Sequence, residues 1–194
     1  MHELRSGLPI LLFETGEALR EWLAQQDENA PGTWLRFAKK GADFTSLSKA
    51  EAIDQALCHG WIDGQLDKYD ASSWLVRFTP RKARSKWSQV NRTRAEELIA
   101  QGLMTARGQK EIDKAKADGR WDAAYAAAST AQVPPDLQEA LDQKPKAGEF
   151  FAGLTGANRY AILYRIGAVK RPETRARKIT EFVAMLERGE TVHG

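Results

Sequence analysis

One cysteine, Cys58, is all that the chain carries in 194 residues. That excludes an internal disulfide and is the usage expected in a reducing compartment, so the expected location is cytoplasmic. No run approaches the roughly 18 to 20 apolar residues that a membrane helix needs. The most apolar stretch, Leu8 to Phe13, is too short for the core of a secretion signal. It contains Pro9 and leads straight into Glu14, so it reads as a strand. A phosphate-binding P-loop and a dinucleotide fingerprint are both missing, which argues against nucleotide-driven chemistry. Histidine is scarce too. His2 and His193 sit at the two ends and His59 lies alone beside Cys58, giving none of the usual metal-ligand spacings, so neither a metal nor a cofactor is expected.

What is present is enough for a sizeable core: 42% of residues are hydrophobic, among them six Trp, seven Phe and four Tyr. The net charge is only +3, a weak pointer to an anionic partner. Its distribution says more. From Ala71 to Ala95 there are seven basic residues, Arg77, Arg81, Lys82, Arg84, Lys86, Arg92 and Arg94, and no Asp or Glu. A second tract holds Arg165, Lys170, Arg171, Arg175, Arg177 and Lys178 against Glu173 alone. Clustering of this kind makes local positive potential that the whole-chain sum conceals.

Patterning along the chain predicts a mixed architecture. Thr15 caps a helix whose apolar stripe is Ala18, Leu19, Trp22 and Leu23. Thr33 to Ala38 reads as a strand, and Ser48-Lys49-Ala50-Glu51 matches a capping box opening a helix that Gly60 ends. Trp61 to Tyr69 and Ser73 to Thr79 read as two strands around an Asp70-Ala71-Ser72 turn. In the second of them, Trp74, Val76 and Phe78 face one way and Leu75, Arg77 and Thr79 the other. Past Pro80 the periodicity is helical, first around Ala95, Leu98 and Ile99, then around Ile112 and Ala115. Ser129 to Pro135 is the best linker. Beyond it three helical patterns follow, Leu137 to Leu141, Phe150 to Ile166 with a break near Gly153 to Gly156, and Pro172 to Leu186. The expected fold is α+β: a small mixed or antiparallel sheet with packed helices, then an all-helical C-terminal region. The expected division is residues 1–128 and 134–194, with packing of the two as one unit left open.

Three constellations carry chemistry. The first tract interleaves its cations with Trp74, Phe78 and Trp87 and with Ser85, Ser88 and Asn91, the mixture that meets phosphates and stacks on bases. The plainer reading is a solvated face whose arginines meet carboxylates on folding. In the second tract, Arg171, Arg175 and Lys178 follow i, i+4, i+7 spacing and would line one exposed helix face. Cys58 and His59 form an adjacent pair, but neighbours in a helix point about a hundred degrees apart, so a thiolate–imidazole couple is not expected.

Several segments resemble one known family. They are Trp34 to Lys40, Ala56 to Gly64, Phe78 to Arg81, Ser85 to Ser88, Asp118 to Trp121 and Pro172 to Arg175, and together they resemble the YdeI/OmpD-associated, or bacteriocin-protection, family. The resemblance implies a link with resistance to antimicrobial peptides and envelope stress, and it supplies no catalytic residues. It directs attention to Trp61, Asp63, Arg77, Arg81, Lys86, Trp87 and Asn91.

The leading expectation is a non-catalytic binding protein with a basic surface for nucleic acid or another polyanion. Its candidate ligand-binding residues are Lys40, Trp61, Asp63, Arg77, Arg81, Arg84, Lys86, Trp87, Asn91 and Arg94, with Arg171, Arg175 and Lys178 as a second basic face. One alternative is an enzyme or small-molecule binder with a pocket beside Trp61, in which Asp63 moves a proton and Lys40 or Arg81 holds an anion. Another is a protein-interaction scaffold using the C-terminal helices. The expected partners are thus nucleic acid or another polyanion, or a protein, with no membrane span.

Overall fold

The computed structural model describes residues 3–154 and 156–193, so His2 lies outside the described residues. The chain divides into two compact units, Met1–Ala124 and Tyr125–Gly194.

The first unit opens with β1 (Leu4–Arg5), β2 (Leu8–Leu11), α1 (Gly16–Ala24) and β3 (Thr33–Ala38). Thr15 starts α1 as expected, its hydroxyl accepting from the Ala18 N–H at 3.2 Å. After β3 come α2 (Lys49–Cys58), β4 (Trp61–Lys68), β5 (Ser73–Pro80), α3 (Gln89–Ala100) and α4 (Ala106–Ala117). The capping box is formed in full: Ser48 Oγ accepts from the Glu51 N–H, and Glu51 accepts from the Ser48 N–H. Gly60, with φ +72°, turns the chain out of α2 into β4.

The five strands form one mixed sheet in the order β1-β2-β3-β5-β4. β2 and β3 run parallel, with α1 as the crossover, and the other pairs are antiparallel. The expected β4–β5 hairpin is present, from the Trp61↔Pro80 pair to Lys68↔Trp74, with an irregularity between Asp63 and Leu66. Helices α1 and α2 cover one sheet face through Leu19, Leu23, Ala52 and Ala56, which meet Leu35, Phe37, Trp61, Val76 and Phe78. The alternation in β5 places Val76 and Phe78 in this core, while Leu75 joins Leu8 and Trp34 in a separate small cluster. A second core gathers the end of α2, α3 and α4 around Leu57, Cys58, Trp87, Leu98, Ile112 and Trp121.

The second unit is helical: α5 (Pro135–Asp142), α6 (Pro145–Gly153), α7 (Gly156–Gly167) and α8 (Pro172–Glu187). The break near Gly153 separates α6 from α7. One core holds the unit together, built from Leu137, Leu141, Phe151, Ile162, Ile166, Ile179, Phe182 and Leu186. No described helix is long and apolar enough to cross a membrane.

Candidate functional site

The hairpin end, the α2 terminus and α4 converge because three local devices act on one place. Gly60 reverses the chain, and its carbonyl accepts from the Arg81 N–H at 2.8 Å, which brings the end of β5 against the end of α2. Thr105 begins α4, and its hydroxyl donates to the Cys58 carbonyl at 2.5 Å, fixing the start of that helix to the end of α2. Gly108 then lets the two backbones touch: a Cβ there would lie 2.4 Å from the Cys58 carbonyl oxygen and 2.7 Å from that of Leu57.

The result is an open cleft of about 490 Å³. Its wall takes His59 and Gly60 from the α2 terminus, Thr79 to Ala83 from the hairpin exit, Arg107, Glu111 and Lys114 from α4, and Glu28 to Pro31 from the loop after α1. Four cationic residues therefore line this space, Arg81, Lys82, Arg107 and Lys114, with Nε and Nη2 of the Arg81 guanidinium buried beneath the wall. Both carboxylates on the wall already have a lysine: Glu111 pairs with Lys114 at 2.6 Å and Glu28 with Lys110 at 2.8 Å. The Lys110 contact holds the Glu28 carboxyl below its ordinary range. The Arg107 guanidinium donates to the Gln26 carbonyl at 2.7 Å, so it is positioned before any ligand arrives.

Arg81 is buried, with its guanidinium carbon 3.5 Å from the Trp87 ring centroid and Nη1 donating to the Lys86 carbonyl at 3.2 Å. It closes the loop from Arg81 to Trp87, helped by Ser85 Oγ, which accepts from the Lys82 N–H. His59 is buried as well. Its Nδ1 lies 2.9 Å from the Gln55 carbonyl oxygen, which can only accept, so the proton sits on Nδ1 and Nε2 keeps its lone pair. Burial lowers the pKa of the ring and keeps it neutral. The Gln55 hydrogen bond opposes that shift, and the Arg107 and Arg20 charges add to it. Cys58 is not a nucleophile here: burial, then the Asp54 carboxylate, push its thiol up to about 11.

The residues singled out from sequence are not assembled into one surface. Arg81 alone among them lines the cleft. Trp61 is wholly buried, edge-on to Trp22 at 5.7 Å, and Trp87 is packed against Trp121 at 4.8 Å, so neither offers a face for stacking. Asp63 pairs with Lys49 at 3.2 Å, away from the cleft wall. Lys40 is exposed in the turn after β3, and Arg77 is exposed on β5. Arg94 is matched twice over: it grips Asp54 through two 2.7 Å bonds and Glu97 at 2.6 Å, and these partners raise its pKa. Ser88 and Asn91 serve the α3 cap, the Ser88 hydroxyl accepting from the Asn91 N–H. Arg84 and Lys86 project from the loop with exposed side chains.

The second basic face divides in the same way. Arg175 turns to Asp136, with bonds of 2.5 and 2.9 Å, and to the Ile166 carbonyl. Lys178 lies over the Phe182 ring, while Arg171 is exposed at the start of α8. His59, Lys82, Arg107, Glu111 and Lys114 were missed as a group, because only folding brings positions 59, 82 and 107–114 together. The one available signal was Gly108 inside a helical pattern, in the first turn of α4, where a glycine marks a packing reason.

Residues 11–111, about half of the chain, match a family model described as a domain of unknown function, DUF8412. The chain belongs to the DUF8412 family. That match spans every cleft-lining residue except Lys114, and it also contains the Trp34, Ala56, Phe78 and Ser85 segments. The model described as Bacteriocin-protection, YdeI or OmpD-Associated matches residues 130–189, so the helical C-terminal part of this DUF8412 protein is similar to that family, as the sequence resemblance implied. No curated protein and no solved structure matches the chain.

Proposed function

We propose that this chain is a non-catalytic binding protein whose cleft takes a small oxyanion, of the phosphate or carboxylate type. The observation that carries the reading is the excess of positive charge on the wall. Four cationic residues line the space against two carboxylates, and although Lys114 is spent on Glu111, Lys110 from outside the wall answers Glu28 and leaves the wall positive. Arg107 is held in place by the Gln26 carbonyl, so little ordering is left for the ligand to drive. A fixed guanidinium such as that of Arg107 matches the geometry of an oxyanion. Titration calorimetry with inorganic phosphate and with citrate tests the reading. Binding by either anion, weakened about tenfold or more in Lys82→Ala, is expected, since a hydrogen bond to a charged group contributes about 1.5–3 kcal/mol. Absence of heat with every anion tried at low salt would remove it.

A longer polyanion such as nucleic acid is the second reading, favoured by Arg84 and Lys86 on the exposed side of the same loop. It predicts oligonucleotide binding that falls steeply with salt. The bacteriocin-protection description of the C-terminal family supports a setting in resistance to antimicrobial peptides for either reading.

A further inference from the structure

We propose that His59 sets the choice of anion in the cleft: the preferred occupant is an oxyanion that still carries a proton, such as hydrogen phosphate, over a fully deprotonated one such as sulfate. This rests on the reading of the cleft as an anion site and deepens it.

The wall supplies mostly donors. Arginine and lysine side chains can only donate, so Lys82, Arg107 and Lys114 take any oxyanion without discrimination. His59 differs. With Nδ1 committed to the Gln55 carbonyl, its Nε2 keeps a lone pair, on a residue that lines the cleft. An oxyanion oxygen without a proton meets that lone pair with repulsion. A P–OH group donates to it and gains a hydrogen bond that sulfate cannot form.

The charges around the ring keep it in this form. Arg20 from α1 and Arg107 from α4 disfavour the imidazolium, and burial does so more strongly than either. Arg81 and Lys82 add positive charge from the hairpin exit, and Lys114 does so from α4. Glu111 and Glu28 work the other way, each weakened by its own lysine.

The test compares inorganic phosphate with sulfate by titration calorimetry at matched ionic strength near pH 7.5, in the native protein and in His59→Phe. Phosphate is expected to bind about tenfold or more tightly than sulfate, the order of one hydrogen bond to a charged group gained against one lost. In His59→Phe the two should come close to parity. Because His59 is buried, the native protein provides a second measurement that needs no variant: the preference should shrink as the pH falls and the ring takes up a proton. Equal binding of the two anions by the native protein overturns this proposal while leaving the anion site standing. So does a preference kept in a folded His59→Phe, which would move the acceptor to Glu111. Binding of neither anion overturns both.

Discussion

Arg81 holds its loop by lying flat on Trp87, a contact that depends on the planar guanidinium and not on charge alone. Arg81→Lys keeps the charge and should still destabilise the first unit, by about 1–2 kcal/mol for a desolvated cation–π contact, read from urea melts. Cys58 offers a second check. With its thiol pushed up to about 11 by burial and by Asp54, native protein at pH 8 should resist iodoacetamide, whereas urea-unfolded protein should be alkylated quickly. Rapid labelling of the native thiol would contradict the buried setting. Single residues were also where sequence reasoning misjudged exposure. Arg94 looked like a surface cation, yet Glu97 meets it one helical turn on and Asp54 reaches it from α2 across forty positions. Trp87 looked like a stacking platform and Trp61 like the side of a binding pocket, but large rings in a chain of this size are needed first for its cores.

Elements were far more legible, because their signals are local. Thr15, Ser48 and Gly60 sit at helix ends and act there as their chemistry requires. The Asp70 turn is held by the Asp70 carboxylate accepting from the Ser72 N–H and the Ser73 hydroxyl. Apart from the β4–β5 hairpin, strand neighbours were not legible. The parallel β2–β3 pair is decided by contacts distant in sequence, and the two-residue β1 is too short to show a period, so periodicity is silent on both. The α2–α4 seam belongs to the same class, and it is testable. Gly108→Ala drives a methyl into two carbonyls and should cost about 1–3 kcal/mol, the usual range for overpacking, while weakening anion binding as Arg107 and Glu111 shift. In the second unit, the Arg175 hydrogen bond holds the Asp136 carboxyl below its ordinary 3.8. A carboxyl lowered in the folded state contributes stability above its ordinary value and loses it as pH falls through the lowered one. Both side chains are partly exposed, so Asp136→Asn should cost only about 0.5–1 kcal/mol at pH 7. Urea melts should find that difference gone once the pH is below the folded value.

On the scale of the whole molecule, each unit has a core of its own, and the stretch of Ala128, Ser129 and Thr130 is exposed. Limited digestion with elastase, which favours small side chains, should cut there first and leave two resistant fragments. Early cuts inside α2 or α4 would contradict the compactness of the first unit. The cleft has a different dependence on the complete fold. Its wall is drawn from the loop after α1, the end of α2, the hairpin exit and α4, so an unfolded chain has no such place to offer. Any solute that settles there therefore acts as a tether among remote stretches of polypeptide. Every tenfold rise in its concentration beyond saturation should deepen the native free-energy well by about 1.4 kcal/mol, so a ligand screen can be run by heat alone.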